Sequence, residues 1–153
     1  MSLREWLANR WLVEHKTNSE EIANLLALAD RDLQDAQSHE LSPDWRFNIA
    51  YNAALQLAGT ALAAAGYRVS RSGPHHYRSI HSLTHTIGSE ESTVRLLDRF
   101  RKKRNVAEYD AVGTISEQEA TEMLDLARSL RQRVEDWLRR THPDLLSITE
   151  GDP

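Results

Sequence analysis

The amino-acid sequence predicts an all-α protein, an antiparallel up-and-down bundle of four to five helices. Apolar residues recur at helical spacing through most of the chain. Three helix starts are marked by residues suited to capping, at Thr17, Ser42 and Ser116. Six Gly and four Pro in 153 residues leave too few tight turns for an all-β chain. A domain of this length buries roughly two-thirds of the surface its unfolded chain exposes, so it needs no disulfide or metal staple.

Residues 1–16 read as a short N-terminal amphipathic helix carrying Leu3, Trp6, Leu7 and Trp11. It is too short to be stable alone, so its tryptophans are expected to pack on the body or on another subunit. Residues 17–142 read as the bundle, and 143–153 as a flexible tail. The bundle's first helix starts near Thr17–Ser19, where Thr17 and Glu20 have capping-box spacing. Its apolar row is Ile22, Leu25, Leu26, Ala29, Leu33 and Ala36.

The next helix has the clearest start in the chain. Ser42 suits the cap, Pro43 the first helical position, and Asp44 the positive end of the helix dipole. From Phe47 to Ala65 it is apolar on most sides and rich in alanine, which makes it the central rod. Gly66 is placed to end it in the left-handed conformation. Asn48 and Asn52 lie one turn apart on this rod and are expected to bond structurally to an adjacent loop.

After a loop at Arg68–Gly73, Pro74 opens a short helix with the row Ile80, Leu83 and Ile87. His76 shares that row, while Arg78, His81 and His85 are expected on the opposite side. A longer helix spans roughly Glu90 to Tyr109. The last begins at Ser116, with Glu119 completing a capping box, and turns Ala120, Met123, Leu124, Ala127, Leu130, Val134, Trp137 and Leu138 inward.

The net charge of −4 conceals a division. From Tyr67 to Arg104 nine Lys/Arg face three acids, so that stretch carries +6 and the remainder −10. Four of the seven histidines fall there too. Such a segment on an acidic body marks an anion-binding surface, a surface for an acidic partner, or a solvated helix face. Arg68, Arg71, His75, Arg78, Arg101, Lys102 and Lys103 are its candidates for binding an anion or a partner. One position stands apart. The row Leu97, Phe100, Ala107 places Arg104 in the next core-facing slot, which is costly for an arginine unless it is paired or lies at a cleft.

With no cysteine, the chain has no thiol nucleophile, disulfide framework or Cys-ligated metal. His81 and His85 have the i, i+4 spacing of a zinc pair but lack a third ligand, so neither metal nor cofactor is expected. No apolar run approaches the roughly 20 residues that span a bilayer. The opening MSLREWLANR lacks a signal-peptide pattern, and a cytoplasmic location is expected.

The run Arg104-Asn105-Val106-Ala107-Glu108-Tyr109-Asp110 resembles the signature of HEPN-domain proteins, an Arg followed by a polar residue and then a His. Asp44-Trp45-Arg46-Phe47, Ala50-Tyr51-Asn52-Ala53-Ala54-Leu55, Gly66-Tyr67-Arg68 and His75-His76 are similar to the small actinobacterial-type branch of that family. The resemblance covers roughly residues 19 to 140. It implies a homodimer in which Arg and His from two subunits face one another and cleave RNA without metal. It also implies a toxin–antitoxin or defence setting, with a minimal nucleotidyltransferase as partner protein. Arg104 and Asn105 match the motif. The family histidine does not: no His lies between Arg104 and His142, and Glu108 and Tyr109 occupy its distances. The candidate catalytic set is Arg104, Asn105, Tyr109 and His76, the last as a substitute histidine. Three readings follow: a partner-dependent module with a degenerate motif, a metal-independent endoribonuclease with a rebuilt Arg/His site at the dimer cleft, and a non-catalytic RNA-binding module.

Overall fold

The computed structural model describes residues 1–109 and 114–146, with backbone alone at 106–109. Within them the chain is an all-α bundle with one small sheet. The order is α1 (Leu3–Ala8), β1 (Leu12–Glu14), α2 (Ser19–Asp35), α3 (Pro43–Ala65), β2 (Tyr67–Val69), α4 (His75–Ser82), α5 (Glu91–Tyr109), α6 (Glu117–Thr141) and a closing 3₁₀ turn, Pro143–Leu146.

The central rod forms as its sequence dictates. Ser42 accepts a hydrogen bond from the Trp45 amide, Pro43 sits in the first turn, and Gly66 closes the helix at φ 98°. A side chain at Gly66 would be strained by that left-handed backbone. α3 buries Phe47, Ala50, Tyr51, Ala54, Leu57, Ala58 and Ala61. Its many alanines let α2 and α6 approach closely on two sides. α3 and α6 meet at their N-terminal ends, where Arg46 pairs with Glu117 at 2.6 Å and the Ile115 amide donates to Asp44. The whole apolar row read for α6 is buried, and Ser116 and Glu119 form the expected reciprocal cap. α5 reaches the same end of the bundle. Its Phe100 ring meets Phe47 edge-on at 5.4 Å, and Lys103 pairs with Glu119.

Four local expectations change. The segment read as a loop from Arg68 begins as β2, paired antiparallel with β1 in the register Leu12↔Val69, Val13↔Arg68, Glu14↔Tyr67. Strands this short, far apart in sequence, carry no alternation long enough to notice. The cap of α2 is Asn18, which accepts from the Glu21 amide at 2.8 Å, while the Thr17 hydroxyl bonds the Glu21 carboxylate. The sequence TNSEE holds two overlapping capping frames, and asparagine caps better than threonine. Residues 1–16, read as one short helix, divide: α1 ends at Ala8 and Trp11 follows it. Trp6 and Trp11 pack on the body, one of the two placements expected, around Leu12 and Leu62 with their rings 5.5 Å apart. Arg10, at φ 63°, turns the chain from α1 into β1. Finally, the segment expected to fray at Pro143 instead adds a turn whose Leu146 joins the core; residues 147–153 lie outside the described residues.

No helix among the described residues is long and apolar enough to cross a membrane.

Candidate functional site

α5 turns Leu97 and Phe100 into the core, and Arg104 continues the same row. What it meets there is an aromatic ring. The Arg104 guanidinium carbon lies 5.2 Å from the centre of the Tyr51 ring, a cation–π contact at the edge of the core. Tyr51, on α3, is 1% exposed, and its hydroxyl makes no hydrogen bond among the described residues. Burial pushes the phenol up to about 12 against the opposing pull of Arg104 and Arg101, so Tyr51 is neutral across the physiological range. α4 brings His76 to the same ring, its own ring centre 6.1 Å from that of Tyr51. His75 stands edge-on to His76 at 5.0 Å. His76 and Arg104 are both half-buried, so each keeps a path to solvent.

Six residues before Arg104 on α5, Asp98 organises the basic surface. It accepts from Arg101 Nε at 2.8 Å and lies 3.6 Å from Lys102 Nζ, at i, i+3 and i, i+4 spacing. Burial alone would raise Asp98, but the Arg101 hydrogen bond and the adjacent cations outweigh it and hold the carboxyl below its ordinary value. His81 reaches across from α4 to 3.9 Å, beyond hydrogen-bonding distance. Burial, helped by Arg101 and Lys102 and opposed by Asp98, lowers His81, so the contact is with a neutral ring rather than an ion pair. His81 in turn backs Tyr77, ring centres 4.1 Å apart at a 31° tilt, and Arg101 lies 5.5 Å from the Tyr77 ring centre.

The other candidates divide. Lys103 points to Glu119 at 3.1 Å, away from Asp98's group. Asn105 is exposed on α5; the Tyr109 side chain lies outside the described residues. Arg78 lies over the Trp11 ring at 5.1 Å and donates to the Ser72 carbonyl. Arg68, on β2, and Arg71 are exposed near this second site. The basic stretch is therefore two surfaces: Arg101, Lys102 and Arg104 with Tyr51 and Tyr77, and Arg68, Arg71 and Arg78 beside Trp11. Asn48 is half-buried. Asn52 is exposed and donates at 2.9 Å to Asp32 on α2, a neighbouring helix rather than a loop. His81 and His85, read as sharing an outer face, are both half-buried and diverge: His81 faces α5, and His85 meets Trp6 edge-on with ring centres 5.4 Å apart. Among the described residues no three His, Asp or Glu side chains are grouped to hold a metal ion.

Three members of the site escape a reading of the sequence. Tyr51 is indistinguishable from a core tyrosine in an apolar helix. Tyr77 meets the basic helix only through the packing of α4 on α5. Asp98 alone carried a signal, its spacing to Arg101 and Lys102. No family model, curated protein or solved structure matches the chain.

Proposed function

We propose that this chain is an HEPN-like helical protein of a toxin–antitoxin or defence system that acts on RNA without metal through Arg104 and His76. The observation that supports it is their convergence on one ring, Arg104 at 5.2 Å and His76 at 6.1 Å from the centre of Tyr51. An imidazole and a fixed guanidinium are the two groups that RNA self-cleavage needs. The imidazole takes the proton of a 2′-hydroxyl as that oxygen attacks the phosphorus. The guanidinium stabilises the extra negative charge on the phosphate oxygens, and the 5′-oxygen leaves with a proton from the imidazolium or solvent. Tyr51, uncharged and buried, packs its ring against the Arg104 guanidinium.

In the family the resemblance points to, Arg and His face one another across two subunits; here both lie on one chain. A homodimer, with this cluster at the cleft, remains part of the proposal and rests on the resemblance, because Trp6 and Trp11 are accounted for by packing within the chain. Light scattering decides it. A second reading, a module that works through a minimal nucleotidyltransferase partner, rests on the absence of histidine between Arg104 and His142.

One assay separates them. Purified protein is incubated with structured RNA and a chelator, beside Arg104→Ala and His76→Ala. Cleavage by wild type that is lost in both variants supports the Arg/His site. No cleavage by wild type favours the partner-dependent module, and binding without cleavage favours a non-catalytic RNA-binding protein.

A further inference from the structure

Two aromatic side chains are strongly exposed among the described residues, Trp45 and Tyr77. Tyr77 is the one with a guanidinium against its ring. It is 42% exposed, yet it is held: His81 backs it at 4.1 Å, and Arg101 lies 5.5 Å from its centre. Arg101 is itself fixed by Asp98 at 2.8 Å. A ring ordered before binding loses little freedom when something stacks on it. Asp98 offsets one of the two charges of Arg101 and Lys102, so the group keeps a net positive charge beside an aromatic surface.

We infer that Tyr77 is a stacking platform for one unpaired base of single-stranded RNA, with Arg101 and Lys102 at the neighbouring phosphate. The inference rests on the RNA reading above and adds to it a separate contact outside the Arg104–His76 pair. Single-stranded nucleic acid is held by this combination of ring and cations, since every base offers a π-face whatever the sequence. An acidic peptide would use the charges but would place no ring against the exposed part of Tyr77. Tyr77 belongs to the same basic stretch of sequence, and the packing of α4 on α5 brings its ring to Arg101.

The test is fluorescence anisotropy at low ionic strength with a single-stranded 2′-O-methyl RNA of about eight nucleotides, a length within the usual site size of such surfaces. The methyl group blocks cleavage during the measurement. An abasic strand of the same length and charge is the second probe. Wild type should bind the intact strand more tightly than the abasic one. Tyr77→Ala should weaken binding of the intact strand about tenfold, the ordinary worth of one stacked base. It should leave the abasic strand unaffected, and Tyr77→Phe should keep the preference. Equal binding of both strands by wild type overturns the platform in favour of a charge-only surface that an acidic peptide would fit as well. Wild-type affinity in a folded Tyr77→Ala, with RNA cleavage intact, overturns the platform and leaves the RNA reading standing. Failure of wild type to bind either strand overturns both.

Discussion

Arg104 and His76, drawn from helices that are separate in sequence, meet the same buried phenol: Tyr51 lies 5.2 Å from the guanidinium carbon and 6.1 Å from the imidazole centre. The Tyr51 hydroxyl is buried without a hydrogen bond among the described residues. The ring is therefore what the site uses, and the hydroxyl is a cost. Tyr51→Phe should leave the fold as stable as wild type or more stable by about 1 kcal/mol, because it removes an unsatisfied buried polar group. Tyr51→Ala should cost about 3–5 kcal/mol by emptying a core position. Urea denaturation of the two variants measures both; a Tyr51→Phe loss as large as that of Tyr51→Ala would show that the hydroxyl is needed.

Asp32 is the other polar centre of the bundle. It is buried on α2 and accepts from Asn52, Gln56 and Arg31 at 2.9, 3.1 and 3.3 Å. Asp32→Ala leaves the Gln56 amide without its acceptor and should cost about 2 kcal/mol. Asn52→Ala, at an exposed position, should cost less, about 1 kcal/mol. The same unfolding curves rank the two.

Arg46 is buried at the start of α3, and its ion-pair partner Glu117 is largely exposed. Removing the carboxylate leaves a guanidinium that is out of water and uncompensated. Glu117→Ala should lower stability by about 1–3 kcal/mol, whereas Arg46→Met, which removes the buried charge itself, should fall within about 1 kcal/mol of wild type. Thermal melts that reverse this order would mean that the pair holds α3 and α6 together by more than compensation.

The histidines set the direction of the pH dependence. Burial lowers His81 and His85 below the ordinary 6.5 in the folded chain. Below about that value the unfolded chain takes up protons first, so stability should fall as pH drops from neutral. Asp98 and Glu119 are held below ordinary carboxyl values, Asp98 by Arg101 and its neighbours against burial, Glu119 first by the Ser116 amide. Their contribution is present above the unfolded carboxyl value and is lost as pH falls through the folded one. Denaturation midpoints should decline in two stages on acidification. His81→Asn should flatten the first and Asp98→Asn the second; a His81→Asn profile that parallels wild type would contradict the first assignment.

How much of this was legible in the sequence depends on whether a residue's partner is local. Ser42, Pro43, Gly66 and the Ser116–Glu119 box act within a turn of themselves, and each is found where its pattern puts it. The α6 row is legible for the same reason. Residues whose partners lie far along the chain were hidden. Leu12 and Val69 pair across more than fifty residues with no turn between them to announce it. Arg104 is the instructive case. Its slot in a core-facing row showed that it must meet something, and the pattern could not say that Tyr51 from α3 was waiting there. Likewise His81 and His85 share a helical face by spacing, but α5 claims one and α1 the other.

The central claim is that Arg104 and His76 act together on one phosphodiester. A double-mutant cycle on single-turnover RNA cleavage in chelator tests it most directly, with wild type, Arg104→Ala, His76→Ala and the double variant. Two groups serving one transition state are strongly non-additive. Each single variant should lose about 100-fold or more in rate, the ordinary worth of a positioned acid–base group or charge donor, and the double variant should be no slower than the slower single. Rate losses that multiply, or single variants that cleave as wild type does, would contradict it.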